Sequence, residues 1–236
     1  MPSPFAIALH GGAGNLARYA GTGRLELAEE MLNNLVRTLH QGLIGGSSAL
    51  DVATQAVMAM EDSGLFHAGK GSSPNSKGYV ELDASIMHGR ERTAGSIAAA
   101  TNMKNPIMAA RYVMEQTQQV LIVGSEADLL TGASGSEIVG PDYFIPCDEV
   151  GAALPSMGTV GAVVLDLYGD VVAATSTGGT LRKRAGRVGD APIIGAGTYA
   201  VNTVGGVSCT GVGEYFLRTS AASRVIARMD LLGESV

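Results

Sequence analysis

Gly158-Thr159 sets a hydroxyl that can attack next to a carbonyl that is open to attack. A threonine hydroxyl is a weak nucleophile unless a base stands beside it. Cutting the bond before Thr159 would free its α-amine, with a pKa of about 7.7 to 8.0, and so supply that base. Gly158 has no Cβ, which leaves its carbonyl accessible and its dihedrals unrestricted. One hydroxyl could then act twice, first on its own backbone and later on a substrate. Residues 159–167 and 171–177 are β-rich and flank Tyr168-Gly169-Asp170, a hairpin by spacing. A turn centred on Tyr168-Gly169 pairs positions whose numbers sum to about 337, which predicts Thr177 beside Val160 and next to Thr159. On spacing alone, Thr159, Thr175 and Thr177 are better explained as β-branched strand residues.

Two further groups have chemical potential. Arg187 and Asp190 lie in GRVGDAP, a glycine-bounded loop, and their spacing offers a guanidinium and a carboxylate to one small zwitterion. A surface ion pair fits the same spacing. Thr210-Gly211-Val212-Gly213 follows a β-rich stretch and precedes a helical one, so its amides could form an oxyanion hole or merely a turn. Other chemistries find little support. His10, His40, His67 and His88 sit in unrelated contexts, and no metal-spaced His/Cys cluster, nucleophile elbow or phosphate-binding loop is present. GGAG at 11–14 reads as a tight structural turn.

The elements that must position these residues follow from periodicity. FAIALH (5–10) reads as a strand. Leu25, Ala28, Leu32, Leu35, Val36, Leu39 and Leu43 repeat with a helical period that Gly45-Gly46 ends. Ser48 and Asp51 form a capping box for a helix to about Met60, with Val52, Ala53, Ala56, Val57 and Met60 on its apolar face. YVELDASIM (79–87) alternates apolar and polar, and 94–100 could pair with it. Asn105-Pro106 opens another helix, with proline at its first position. A short strand at 120–123, a helix near 125–131 and a linker over 133–158 come next. After the hairpin, strands near 193–200 and 204–209 and a single helix from about 214 to 231 are expected. Mixed blocks without strict alternation point to an α+β fold with mainly antiparallel pairing.

Composition narrows the classes. Hydrophobic residues make up 46% and charged residues 16%, enough to bury a core. The net charge of -6 and the absence of a basic run beyond Arg182-Lys183-Arg184 argue against nucleic acid. No apolar run is long enough to span a membrane, and the start lacks a signal-peptide pattern, so a cytoplasmic protein is expected. Cys147 and Cys209 suggest no disulfide framework.

Seven segments together resemble the plant-type asparaginase and isoaspartyl aminopeptidase family of N-terminal nucleophile hydrolases. They are ALHGGAGN (8–15), FHAGKGS (66–72), ELDASIM (81–87), GTVGAV (158–163), AATSTGG (173–179), GRVGDAPIIGAGTYA (186–200) and VSCTGVGE (207–214). The resemblance implies a four-layer αββα sandwich whose last strands are expected to be missing, because the chain stops at Val236 while the family continues with a glycine-rich β segment. It implies one domain, cleaved into 1–158 and 159–236 at Gly158-Thr159. Thr159 then resembles the nucleophile and Thr177 the threonine that orients it. Arg187 and Asp190, with Val188 and Gly189 between them, resemble the clamps for the α-carboxylate and α-amine. Thr210 and Gly211 resemble the oxyanion hole, with Val212 and Gly213 shaping the pocket. Met60, Glu61, Ser63, Phe66, Ala68 and Lys70 resemble a structural sodium loop built from main-chain carbonyls, and no catalytic cofactor is implied. The implied substrates are L-asparagine and β-aspartyl dipeptides, and the implied assembly is a homodimer of cleaved heterodimers. His67 stands where the family has asparagine, and the segment before Thr159 is short. Two rivals are a glycosylasparaginase and an uncleaved, inactive interaction protein.

Overall fold

The computed structural model describes residues 4–14, 16–144 and 158–235. Residues 145–157 of the expected linker, Cys147 and Asn15 lie outside that set. Within it the fold is mixed α+β, with one large sheet, one small sheet and helices.

The large sheet holds β1 (Ala6–His10), β2 (Leu82–His88), β3 (Thr93–Ala100), β4 (Leu121–Val123), β5 (Val160–Leu165) and β6 (Val171–Thr177). Their spatial order is β1-β5-β6-β2-β3-β4, and only the β3–β4 pair is parallel. The alternation seen in the sequence sorts residues between its two faces. Leu82, Ala84, Ile86, Val160, Ala162, Val164, Val172 and Ala174 join the main apolar core. They pack under α1 (Arg24–Ile44), α2 (Ala49–Asp62) and α3 (Pro106–Gln116). The five residues expected on the apolar face of α2 are all buried there. Each fully buried large aliphatic side chain of this kind contributes roughly 1.5–3 kcal/mol. A short helix, α4 (Ser125–Asp128), follows β4.

The opposite face carries Asp83, Ser85, Thr175 and Thr177, all of them buried. What covers them is a two-stranded sheet, β7 (Thr198–Val201) and β8 (Gly205–Ser208), backed by α6 (Ala221–Leu232). Alternation marks β2 as a strand, but a polar face need not face water.

Three local devices have legible causes. Ser48 caps α2 by accepting from Asp51 N at 3.1 Å, and its hydroxyl donates to the Asp51 carboxylate at 2.8 Å. The hairpin turn is set by Asp166. Its Oδ1 accepts from Tyr168 N at 2.9 Å and Asp170 N at 3.0 Å, while Gly169 adopts φ +79. This turn is centred on Tyr168, so paired positions sum to 336 rather than 337, as in Val160↔Ser176. The expected register is corrected by one residue, which puts Thr177 opposite Thr159 instead of Val160. The single helix expected over 214–231 is instead two, α5 (Gly213–Thr219) and α6, because Ser220 sits in the left-handed region at φ 48, ψ 50. No helix among the described residues is long and apolar enough to cross a membrane.

Candidate active site

Thr159 lies at the mouth of β5 and Thr177 at the end of β6, on the polar face of the large sheet. Thr159 Oγ1 donates to Thr177 Oγ1 at 2.9 Å. That oxygen also accepts from Gly179 N at 3.0 Å, and the Thr177 hydroxyl faces the His67 carbonyl at 3.4 Å. With its hydrogen directed at Thr177, Thr159 Oγ1 accepts no hydrogen bond among the described residues. Gly158 O accepts from His67 N at 3.2 Å, and His67 O accepts from Gly178 N at 2.8 Å. The His67 peptide therefore bridges the entry of β5 and the exit of β6. The Gly158 carbonyl is polarised by a main-chain donor, so this contact does not depend on which side chain stands at position 67.

GGAG, read from sequence as a tight structural turn, is a close backbone approach to the same bond. Gly12 has φ +112, and a Cβ there would sit 2.5 Å from Gly158 Cα. The next residue, Ala13, donates its amide to Thr210 Oγ1 at 3.1 Å, which ties the Thr210-Gly211 turn to the Gly158 region. Gly211 adopts φ +144 against the Phe216 ring.

The histidines also need correction. His10 and His67, unrelated in sequence, both border Gly158-Thr159. Burial lowers each imidazole to about 4, with the charge of Lys183 adding to the effect at His67 and a backbone contact to Thr159 opposing it at His10. Both are neutral at physiological pH. No local sequence signal marks them, since their partners lie far away along the chain.

Arg187 and Asp190 come together as their spacing suggests. Arg187 Nε and Nη2 both reach Glu214 Oε1 at 3.0 Å. Asp190 is buried, and among the described residues its Oδ2 has no hydrogen-bond partner. Burial raises its carboxyl above the ordinary range, an effect that an arriving cation would reverse. Glycines keep the space between them open. A Cβ on Gly213 would lie 2.6 Å from Asp190 Oδ1 and 2.8 Å from Arg187 Nη2, and one on Gly189 would lie 2.7 Å from Arg187 Nη1. Val188 is half-buried beside them, and Val212 is exposed at the start of α5.

A buried charged cluster beneath this loop was not foreseen. Lys183 Nζ donates to Glu81 O at 2.9 Å and stands 3.9 Å from Asp83 Oδ2. Glu81 accepts from Gly186 N at 2.8 Å and Asn75 Nδ2 at 2.9 Å. These bonds fix the segment that carries Arg187. The signal was present: acids at 81 and 83, spaced within a strand whose other face is apolar, must find partners when buried.

The segment expected to form a sodium loop curls back on itself. Met60 O accepts from Ser63 Oγ at 2.8 Å, and Ala68 O accepts from Gly71 N at 3.2 Å. Phe66 O and Gly64 O converge on Gly71, where a Cβ would meet them at 2.0 and 3.0 Å, and Glu61 O lies 2.7 Å from the corresponding position at Gly69. Arg24 Nη2 donates to Gly64 O at 2.7 Å, and Lys70 extends over the Tyr143 ring. Three of these carbonyls already accept from protein donors: Met60 O from Ser63, Ala68 O from Gly71 and Gly64 O from Arg24.

The Glu61 side chain has a separate role, buried against Ser176 Oγ at 2.6 Å and Ile107 N at 3.2 Å. Burial pushes its carboxyl up to about 8 from 4.5. A raised folded pKa means this stabilisation is complete below the unfolded value and lost as pH climbs through the folded one. The wild type should therefore lose Tm between about pH 5 and about pH 8, and Glu61→Gln should flatten that slope, with a gain of about 5 °C or more at the alkaline end. Parallel slopes in thermal melts of the two proteins would exclude Glu61 as the group responsible.

A family model described as asparaginase matches residues 3–152 and 147–236. The isoaspartyl peptidase of Escherichia coli (strain K12) is 43% identical over 251 aligned residues, covering 98% of this chain and 78% of the relative. A probable isoaspartyl peptidase/L-asparaginase 2 of Arabidopsis thaliana is 37% identical over 97% of this chain and 82% of its own length. The isoaspartyl peptidase/L-asparaginase of Danio rerio is 35% identical, with 95% and 76% covered. The chain belongs to the asparaginase family.

Proposed function

We propose that the protein is an autocleaving amidohydrolase that releases aspartate from L-asparagine, β-aspartyl dipeptides or both, with Thr159 as nucleophile. The observation that carries this reading is the pairing at one bond: Thr159 Oγ1 held by Thr177 and Gly158 O held by the His67 amide.

Self-cleavage begins with Thr159 Oγ1 attacking the Gly158 carbonyl carbon. The His67 N–H supports the oxyanion, the Oγ1 proton passes to the departing Thr159 nitrogen as the C–N bond breaks, and an ester joins Gly158 to Oγ1. Water hydrolyses the ester, leaving a Gly158 carboxylate and a free Thr159 amine. The amine then takes the Oγ1 proton as the hydroxyl attacks the substrate β-carbonyl. Arg187 holds the α-carboxylate and Asp190 Oδ2 gains the α-ammonium as partner. The Thr210-Gly211 turn supplies the oxyanion donors, ammonia or an amino acid leaves, and water frees aspartate. The segment from Met60 to Lys70 would hold a sodium ion through its carbonyls and so fix the position of His67.

The same reading takes the chain as one domain that splits into 1–158 and 159–236. Its layers would be helices, large sheet, small sheet and α5–α6, an αββα sandwich supported by the packing of β7 and β8 between β6 and α6. It acts as a homodimer of cleaved heterodimers, by resemblance to the family.

Incubating the purified chain and following intact mass with aspartate release is the test. Two fragments, one starting at Thr159, with turnover of β-aspartyl-leucine, are expected. Turnover of glycosyl-asparagine alone would favour a glycosylasparaginase, and one persistent inert band would favour an interaction protein.

A further inference from the structure

Arg187 and Asp190 stand three positions apart and carry opposite charges, yet among the described residues they form no ion pair with each other. A guanidinium and a buried carboxylate that close together tend to neutralise one another, which would leave neither for a zwitterion. Arg187 has a different partner. Its Nε and Nη2 both reach Glu214 Oε1 at 3.0 Å, and Glu214 sits in the first turn of α5. A guanidinium has two edges that present a pair of parallel N–H groups, and one carboxylate oxygen takes up the Nε–Nη2 edge.

Glycine accounts for the next side of the group. A Cβ on Gly189 would lie 2.7, 3.1 and 3.2 Å from Nη1, Cζ and Nη2, so the flat face of the guanidinium rests over Gly189. A Cβ on Gly213 would lie 2.6 Å from Asp190 Oδ1 and 2.8 Å from Arg187 Nη2, so this glycine borders both charged groups. With a face on Gly189 and the side edge on Glu214, the Nη1–Nη2 end is the two-donor edge that remains. Asp190 Oδ2 has no hydrogen-bond partner among the described residues. Each charged group thus keeps hydrogen-bonding capacity beside Gly213.

We infer that Glu214 is a positioning residue that takes the side edge of Arg187, holds the guanidinium off Asp190 and leaves its terminal fork for a substrate carboxylate. The inference rests on the roles proposed above for Arg187 and Asp190. Its opposite is a resident carboxylate that competes with substrate for the arginine. The Glu214 side chain is 52% exposed, so solvent screens its charge, whereas the hold on the long Arg187 side chain depends on the contact itself.

Initial rates with β-aspartyl-leucine on the self-cleaved chain are the test, and replacing so exposed a side chain opens no cavity. Glu214→Ala should raise KM about five- to thirtyfold with kcat changed less than about twofold. Glu214→Gln keeps an oxygen acceptor for Nε and Nη2 but loses the charge, so it should bring KM back to within about twofold of wild type. A lowered or unchanged KM in Glu214→Ala overturns the inference. So does a Glu214→Gln protein that matches Glu214→Ala, since charge rather than position would then matter. Arg187→Ala separates this inference from the reading beneath it. An unchanged KM there removes the clamp and the Glu214 role together, whereas a raised KM there beside an unchanged one in Glu214→Ala removes Glu214 alone. Protein that hydrolyses nothing is read by labelling the full chain with 15N-arginine. The Nε–H resonance missing from Arg187→Ala should exchange with solvent at least about tenfold faster in Glu214→Ala than in wild type or Glu214→Gln. Equal exchange in all three overturns the contact and the inference with it.

Discussion

Thr159→Ala should stay in one piece and lose at least about 10³-fold in aspartate release, because one substitution removes the attacking oxygen of both reactions. Geometry makes this more than the loss of a hydroxyl. Thr159 Oγ1 donates at 2.9 Å to Thr177 while the adjoining Gly158 carbonyl is held by His67 N. Alanine keeps the strand and the carbonyl contact but leaves nothing to attack. Thr159→Ser keeps the oxygen and should still cleave, more slowly, since serine is less restricted about χ1. Intact mass and an aspartate assay read both variants. Two fragments or undiminished hydrolysis from Thr159→Ala would end the nucleophile assignment.

The second large effect separates the two reactions. Arg187→Ala should cleave itself like wild type yet lose about 30- to 1,000-fold in kcat/KM, the range for removing one partner of a buried, hydrogen-bonded charge pair. The Arg187 contacts run to Glu214 and past Gly189, not to Gly158 or Thr159. Gly213→Ala should behave alike by another route, because its methyl would enter 2.6 Å from Asp190 Oδ1. A denaturing gel gives cleavage, and initial rates with β-aspartyl-leucine give turnover. If either variant stays uncut, the loop shapes the cleavage site as well and is no longer purely a clamp.

Periodicity carried the elements far. α1, α2, α3 and the β2–β3 and β5–β6 pairs were all legible, because each rests on contacts close in sequence. So was the nearness of Thr177 to Thr159, a property of one hairpin. Its register was wrong by one because the turn is held by a side chain, Asp166, rather than by a two-residue backbone turn. Position 220 hid the break between α5 and α6, since serine carries no strong signal for the left-handed region. The site residues that escaped notice share another cause. His10 meets Ser208, Ala13 meets Thr210 and Lys183 meets Glu81, each across about 100 positions or more. No window along the chain holds both members of such a pair. The polar half of β2 was visible, but only the second sheet shows that Asp83 and Ser85 are interior groups.

Strand order has a consequence for the cut chain. β5 and β6 lie between β1 on one side and β2 on the other. A break before Thr159 would thus leave the shorter piece inserted into the middle of the longer one, zipped along both of its edges. Neither piece could leave without stripping a whole row of main-chain bonds and opening the core. The nick would cost the molecule a covalent link and little of its cohesion. The freed amine would emerge from a frame already assembled around it, with no docking step to wait for.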